Sequence, residues 1–61
     1  MTLRIENDVY VIEKTGYGNW DITKNGIETI HTTDSWMIDA IDDEDNEHYN
    51  EERECLVNMF S

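Results

Sequence analysis

The sequence predicts an α+β fold: a three-stranded antiparallel β-meander followed by one or two C-terminal helices, in a single small domain over residues 1–61. Three observations predict it. All three glycines (Gly16, Gly18, Gly26) and most of the Thr, Val and Ile fall before residue 34. No proline occurs anywhere and no glycine follows Gly26, so nothing in the second half breaks a helix. Charge divides at the same border. Residues 1–33 hold five acids and three bases, net −2, whereas residues 34–61 hold ten acids and one base, net −9.

Leu3-Arg4-Ile5 alternates apolar and polar, and Asn7-Asp8 reads as a turn or a bulge. Val9-Tyr10-Val11-Ile12 is β-branched and aromatic, which suits a pleated surface. Thr15 to Asn19 is a loop by composition. Trp20-Asp21-Ile22-Thr23-Lys24 alternates again. Asn25-Gly26 then gives the strongest local signal, because both residues tolerate the positive φ angles of a type I′ two-residue hairpin. That turn places Lys24 opposite Ile27, Ile22 opposite Thr29 and Trp20 opposite His31. Trp20, Ile22 and Ile27 then share a core face, while Ile30 falls on the other side and calls for a bulge or strand end nearby.

Thr32, Thr33 and Asp34 are all competent N-caps for a helix that follows. Ile38, Ile41, Tyr49, Leu56 and Phe60 cluster on a helical wheel, and Asp45 and Glu52 interrupt their stripe. One reading is a continuous helix over 34–59. The other is a short helix (34–42) and a second (46–59) meeting at an acidic bend capped by Asp45 or Asn46. The break is preferred, since a helix of some 26 residues overhangs a three-stranded sheet. Trp36, Met37, Ile38 and Ile41 are expected to press onto the sheet.

A chain of 61 residues buries only about 60% of the surface its unfolded form exposes, so its stability is marginal. Cys55 is the single cysteine and excludes an internal disulfide, which fits a reducing cytoplasm. The formal charge of −11 opposes direct binding to nucleic acid or to an anionic membrane. There is no signal-peptide pattern, no membrane-length apolar run and no Asn-x-Ser/Thr sequon.

The stretch Ile41 to Glu54 holds eight of the fifteen acids. On a helical wheel Asp43, Glu44, Glu47, Glu51 and Glu54 form one stripe. Like charges at such spacings disfavour a helix by a few tenths of a kcal/mol per pair, and only Arg53 offsets them. The bland reading is an acidic surface that serves solubility. The functional reading is a face for a basic partner. A continuous helix over 34–54, about 30 Å long, carries net −9, or about one charge per 3.4 Å. A single DNA strand carries phosphates at about that spacing.

Other chemistries find less support. Asp43, Asp45, Glu47, Tyr49, Glu51 and Glu54 fall at positions 1, 3, 5, 7, 9 and 12 of a calcium-loop pattern. The glycine at position 6 is replaced by His48, and Asn50 stands at the usually apolar position 8. His31, His48 and Cys55 are too scattered for a transition metal. Ser35 and Cys55 have no identifiable base partner, so no enzyme activity, metal or other cofactor is expected. Tyr17, between two glycines at a loop tip, is a candidate aromatic anchor, and so are Tyr10 and Ile12 unless the helices cover them.

In size, charge and layout the chain resembles small acidic phage-encoded inhibitors, some of which mimic DNA. The residues that carry the likeness are Asp34, Asp39 and the acids of 42–54, joined to a compact β-meander with an Asn25-Gly26 turn. The resemblance implies a non-enzymatic inhibitor or modulator in the host cytoplasm. Its partner would be a basic surface on a nucleic-acid-handling protein, bound through Asp39, Asp43, Glu44, Glu47, Glu51 and Glu54 with Tyr17 as anchor. The alternative expectation is a homodimeric accessory or assembly protein whose interface is Tyr49, Leu56 and Phe60.

Overall fold

The computed structural model describes residues 1–61. It is α+β, with a four-stranded antiparallel sheet in which each strand pairs with its neighbours in sequence. The strands are β1 (Thr2–Ile5), β2 (Asp8–Gly16), β3 (Asn19–Lys24) and β4 (Glu28–Thr32). Two helices follow, α1 (Ser35–Ile41) and α2 (Tyr49–Asn58).

The expected three strands become four because the chain reverses at Glu6-Asn7. Ile5 pairs with Asp8 and Leu3 with Tyr10, and Glu6 takes a positive φ of 56° to make the turn. A glutamate gives little sequence warning of that conformation, which is uncommon for residues with a Cβ. The expected loop over 15–19 is also shorter than composition implied. β2 runs through Gly16, with an irregularity between Lys14 and Gly16, and only Tyr17 and Gly18 connect it to β3.

Asn25 and Gly26 take the expected positive φ angles, but the two-residue hairpin does not form: three residues, Asn25 to Ile27, connect the strands. Asn25 and Gly26 both have positive φ, 54° and 70°, and the Ile27 amide donates to the Lys24 carbonyl at 3.0 Å. Lys24 nevertheless pairs with Glu28, Ile22 with Ile30, Asp21 with His31 and Trp20 with Thr32. Ile27 is the extra residue, and it is 85% exposed rather than in the core. The reason is the alternation itself. A one-residue slip moves every side chain of a strand to the other face. The observed register puts Ile30 beside Ile22 on the helix side, where it packs against the core.

Both helices cover one face of the sheet. Tyr10, Ile12 and Ile22 from the strands meet Met37, Ile38 and Ile41 of α1 and Leu56 of α2. Leu3, Ile5, Trp20, Ile30, Val57 and Phe60 pack around them. Tyr10 and Ile12 are therefore buried, not anchors for a partner. Trp36 departs from expectation: it is 57% exposed while Met37, Ile38 and Ile41 are buried.

The helical half is broken, as preferred. α1 is capped by Asp34, whose Oδ1 accepts from the Met37 amide at 3.0 Å. It ends at Ile41, where four consecutive acids begin. Negative charge at a helix C-terminus opposes the dipole, whereas the same charge ahead of the next helix favours it. Two side chains also compete for the backbone. Asp43 Oδ1 accepts from the Asp45 amide at 3.0 Å, and Asn46 Oδ1 accepts from the His48 amide at 2.8 Å. Such local bonds offer the chain a turn in place of a helix. The second helix starts at Tyr49, later than expected. Neither Asp45 nor Asn46 is its cap; that position is His48, which makes no side-chain capping bond.

Candidate functional site

The acidic residues gather on the bend between the helices, residues 42–48, and on its two flanks. The helix break divides the expected stripe. Asp39 is on α1, Asp43, Glu44 and Glu47 are in the bend, and Glu51 and Glu54 are on α2. These six are exposed. They do not share one helical face, so the linear spacing of about 3.4 Å per charge no longer describes the surface. A bend with exposed carboxylates on every residue from Asp42 to Asp45 takes its place.

Charge compensation within the chain is slight. Lys24 and Asp8, with Nζ and Oδ2 4.0 Å apart, are the only ion pair that involves a lysine or arginine. In the second half, only Glu47 and Glu51 find a partner, and it is the same one. His48 Nε2 lies 3.2 Å from Glu47 Oε1 and its Nδ1 lies 3.5 Å from Glu51 Oε2. Asp39, Asp42, Asp43, Glu44, Asp45, Glu52 and Glu54 ion-pair with nothing. Arg53, the one base of this half, turns away from them. Its Nη2 donates to the Arg4 carbonyl at 3.1 Å, and its guanidinium lies 5.0 Å from the Tyr49 ring centroid.

Aromatic groups flank the bend. The exposed Trp36 lies against His48, with ring centroids 4.9 Å apart and an interplanar angle of 52°. Sequence reading placed Trp36 in the core and missed it here. The signal available was its position directly before the buried Met37-Ile38 pair, which puts it on the rim of α1. Tyr17 is 98% exposed on the β2–β3 turn, and Lys14 Nζ is 5.8 Å from its ring centroid. Lys14 also borders a shallow depression of about 240 Å³ with Trp20, Ile38 and Asp42.

The alternative interface residues are engaged inside the chain. Leu56 is fully buried. Phe60 packs against Tyr10, with ring centroids 5.5 Å apart, and Tyr49 carries Arg53 over its ring. The apolar stripe that the sequence offers to a second subunit packs against the chain's own core.

The calcium-loop pattern is split between two elements. Asp43, Asp45 and Glu47 lie in the bend, and Tyr49, Glu51 and Glu54 lie on α2. No group of three or more His, Cys, Asp or Glu side chains converges as a metal site would require. His31 stands apart on β4, beside Asp21 Oδ1 at 3.1 Å and Asn19 Oδ1 at 3.2 Å. Its cross-strand neighbour is Asp21, not Trp20.

Cys55 is exposed, and its thiol is pushed above the ordinary range. Loss of solvation is the first cause and Glu52 the second, both as a charge and as acceptor of the S–H bond. The Sγ to Oε2 distance is 3.7 Å. A thiol held protonated is a poor nucleophile.

No protein-family model matches this chain, and neither the curated proteins nor the solved structures contain a significant match. No helix is long and apolar enough to cross a membrane.

Proposed function

We propose that this protein is a non-enzymatic acidic binding protein. It inhibits or modulates a nucleic-acid-handling protein by occupying that partner's basic surface in the cytoplasm. One observation carries the reading: seven carboxylates between Asp39 and Glu54 have no cationic partner within the chain. Folding gathers these charges against their own repulsion instead of dispersing them. A partner rich in lysine and arginine supplies the missing counter-charge, and the encounter is steered, fast and salt-sensitive. The helix break changes the form of mimicry. The matching surface is a charge-dense bend rather than a rod with phosphate-like spacing. The resemblance in size and charge to small acidic phage-encoded inhibitors supports the same reading. Trp36, against His48 of the bend, adds an aromatic contact beside the acidic surface, and Tyr17, exposed on the β2–β3 turn, is a separate aromatic anchor.

The test is affinity capture from a bacterial lysate at low and high salt. It is run with the native chain and with a variant in which Asp43, Glu44, Glu47, Glu51 and Glu54 become their amides. The expected result is a nucleic-acid-binding protein held at low salt, released at high salt and absent from the variant. Equal capture by the variant overturns the reading.

A further inference from the structure

The two edges of the sheet differ. At the β1 edge, the Ile12 amide donates to the Met1 carbonyl at 2.8 Å and the Met1 amine to the Ile12 carbonyl at 2.9 Å. Leu3 and Ile5 therefore turn their main-chain groups toward β2, and Thr2 and Arg4 turn theirs outward. This edge is guarded. Arg53 of α2 donates from Nη2 to the Arg4 carbonyl at 3.1 Å, and β1 is only four residues long.

At the other edge, the Asn25 amide donates to the Val9 carbonyl at 2.8 Å. Asn25, Thr23 and Asp21 thus face β2, while Lys24, Ile22 and Trp20 face Glu28, Ile30 and Thr32 of β4. The N–H and C=O groups of Thr29 and His31 point away from the sheet, and none finds a main-chain partner in the turns, loops or caps. β4 lacks the usual guards of an edge strand: it has no proline, no lysine and no bulge. Side chains tie it to β3. The Oγ1 atoms of Thr29 and Thr23 are 3.0 Å apart, and His31 lies beside Asp21 and Asn19.

The strand complements itself. About a two-fold axis at Ile30, a second antiparallel copy places Thr29 opposite His31 and His31 opposite Thr29. Each such pair exchanges two hydrogen bonds, so every outward group of both residues is satisfied. Ile30 meets its own counterpart and Glu28 meets Thr32, so no like charges stand opposite. A register with Thr29 opposite Thr29, or His31 opposite His31, leaves part of this set unpaired. Charge favours the same edge. Two chains of net −11 repel, yet residues 22–33 carry one acid, Glu28, and one base, Lys24. Arg53 anchors α2 at the far edge, about 14 Å away across three strand spacings.

We infer that two copies of this chain join through β4 into one continuous antiparallel sheet, a symmetric dimer with Thr29 opposite His31. The interface uses neither the acidic bend nor the Tyr49, Leu56 and Phe60 stripe, so it stands or falls independently of the acidic-binding reading.

The test uses the native chain over a concentration series up to about 1 mM, a range that populates weak interfaces, at low and high salt. Sedimentation is expected to show a monomer converting to a dimer, with salt favouring the dimer because screening relieves repulsion between like chains. A basic partner on the bend responds to salt in the opposite sense. Amide exchange locates the contact: Thr29 and His31 should slow by about tenfold or more on concentration, while Thr2 and Arg4 stay unchanged. Thr29→Pro removes an outward N–H where an edge strand tolerates proline. It should weaken the dimer about ten- to hundredfold, the worth of the two bonds lost across the two-fold. Ile30→Cys, made together with Cys55→Ser, puts two thiols at the axis. The non-hydrogen-bonded pair there brings Cα atoms to about 4.5 Å, within disulfide reach, so mild oxidation should give a covalent dimer. If Thr29→Pro does not fold, exchange and cross-linking decide. A monomer at every concentration and salt, a dimer protected at other amides, native affinity in folded Thr29→Pro, or no cross-link from folded Ile30→Cys each overturn the inference.

Discussion

Trp36 and His48 hold the bend to α1: their rings lie 4.9 Å apart, tilted by 52°, although twelve positions separate them in sequence. His48 in turn contacts Glu47 and Glu51 through its two ring nitrogens, so one imidazole ties the bend to both helices. Aromatic pairs are worth about 0.5–1.5 kcal/mol beyond the area they bury. His48→Ala is expected to destabilise the fold by an amount in that range and to free the bend. With Trp20 replaced by Phe to isolate the signal, Trp36 emission should shift to the red in the His48→Ala variant. An unchanged emission maximum and midpoint would show that the contact holds nothing in place.

Unpaired carboxylates on the bend repel one another in the folded state more than in the open chain. Replacing Asp43, Glu44 and Asp45 with their amides is expected to stabilise the protein by on the order of 1 kcal/mol, or about 4–8 °C in thermal midpoint for a domain this small. Salt should do the same for the native chain, since screening shortens the reach of each charge to about 8 Å near 0.15 M. The two effects are not additive, because they relieve the same repulsion. Thermal melts of both proteins at low and high salt check this. A variant that loses stability would mean that the favourable interaction of these charges with the N-terminal end of α2 outweighs the repulsion.

The division at residue 34, the burial of Met37, Ile38 and Ile41 (though not the exposure of Trp36), Asp34 as one of three candidate caps, and the break in the helical half were legible in the sequence. Each rests on a strong local signal: periodicity, a capping side chain, or charge at the wrong end of a helix dipole. Failures came where a local signal was silent or was overruled. Glu6 turns the chain with a positive φ that its residue type does not announce. Asn25-Gly26 announced its positive φ angles correctly, but burial of Ile30 beside Ile22 then set the register one residue further on. The charge stripe failed for a different reason. It presumes a continuous helix, which the Asp43 and Asn46 side-chain bonds help to end.

Leu56 separates the monomeric core from the dimer expectation. Its side chain is fully buried among Tyr10, Ile12, Ile22 and α1. Leu56→Ala is expected to cost about 2–5 kcal/mol. A domain of 61 residues has roughly 3–9 kcal/mol in total, so the variant loses a large share of its stability. Leu56→Met keeps the volume and should cost less than about 1.5 kcal/mol. Circular dichroism with sedimentation distinguishes the cases. A folded monomer from Leu56→Asp would move Leu56 from the core to an interface between copies.

Cys55 gives the pH dependence. Its thiol is raised first by lost solvation, then by the Glu52 charge and hydrogen bond, with smaller contributions from Asp34 and Glu51. The folded protein therefore keeps its proton over a window, just above the ordinary thiol range, in which the unfolded chain has released it. In that window the native state binds more protons, so stability falls as pH rises through it. Below the ordinary range both states are protonated and Cys55 contributes no slope. Alkylation follows the same logic, because the thiolate is the reacting species. At mildly alkaline pH the native thiol should react several-fold more slowly than the same residue in urea, despite its exposure. Glu52→Gln removes the second-largest cause and keeps the side chain's shape, so it should move the native rate part of the way up and leave the unfolded rate alone. Equal native rates for the wild type and Glu52→Gln would leave the raised thiol to lost solvation and the smaller Asp34 and Glu51 contributions.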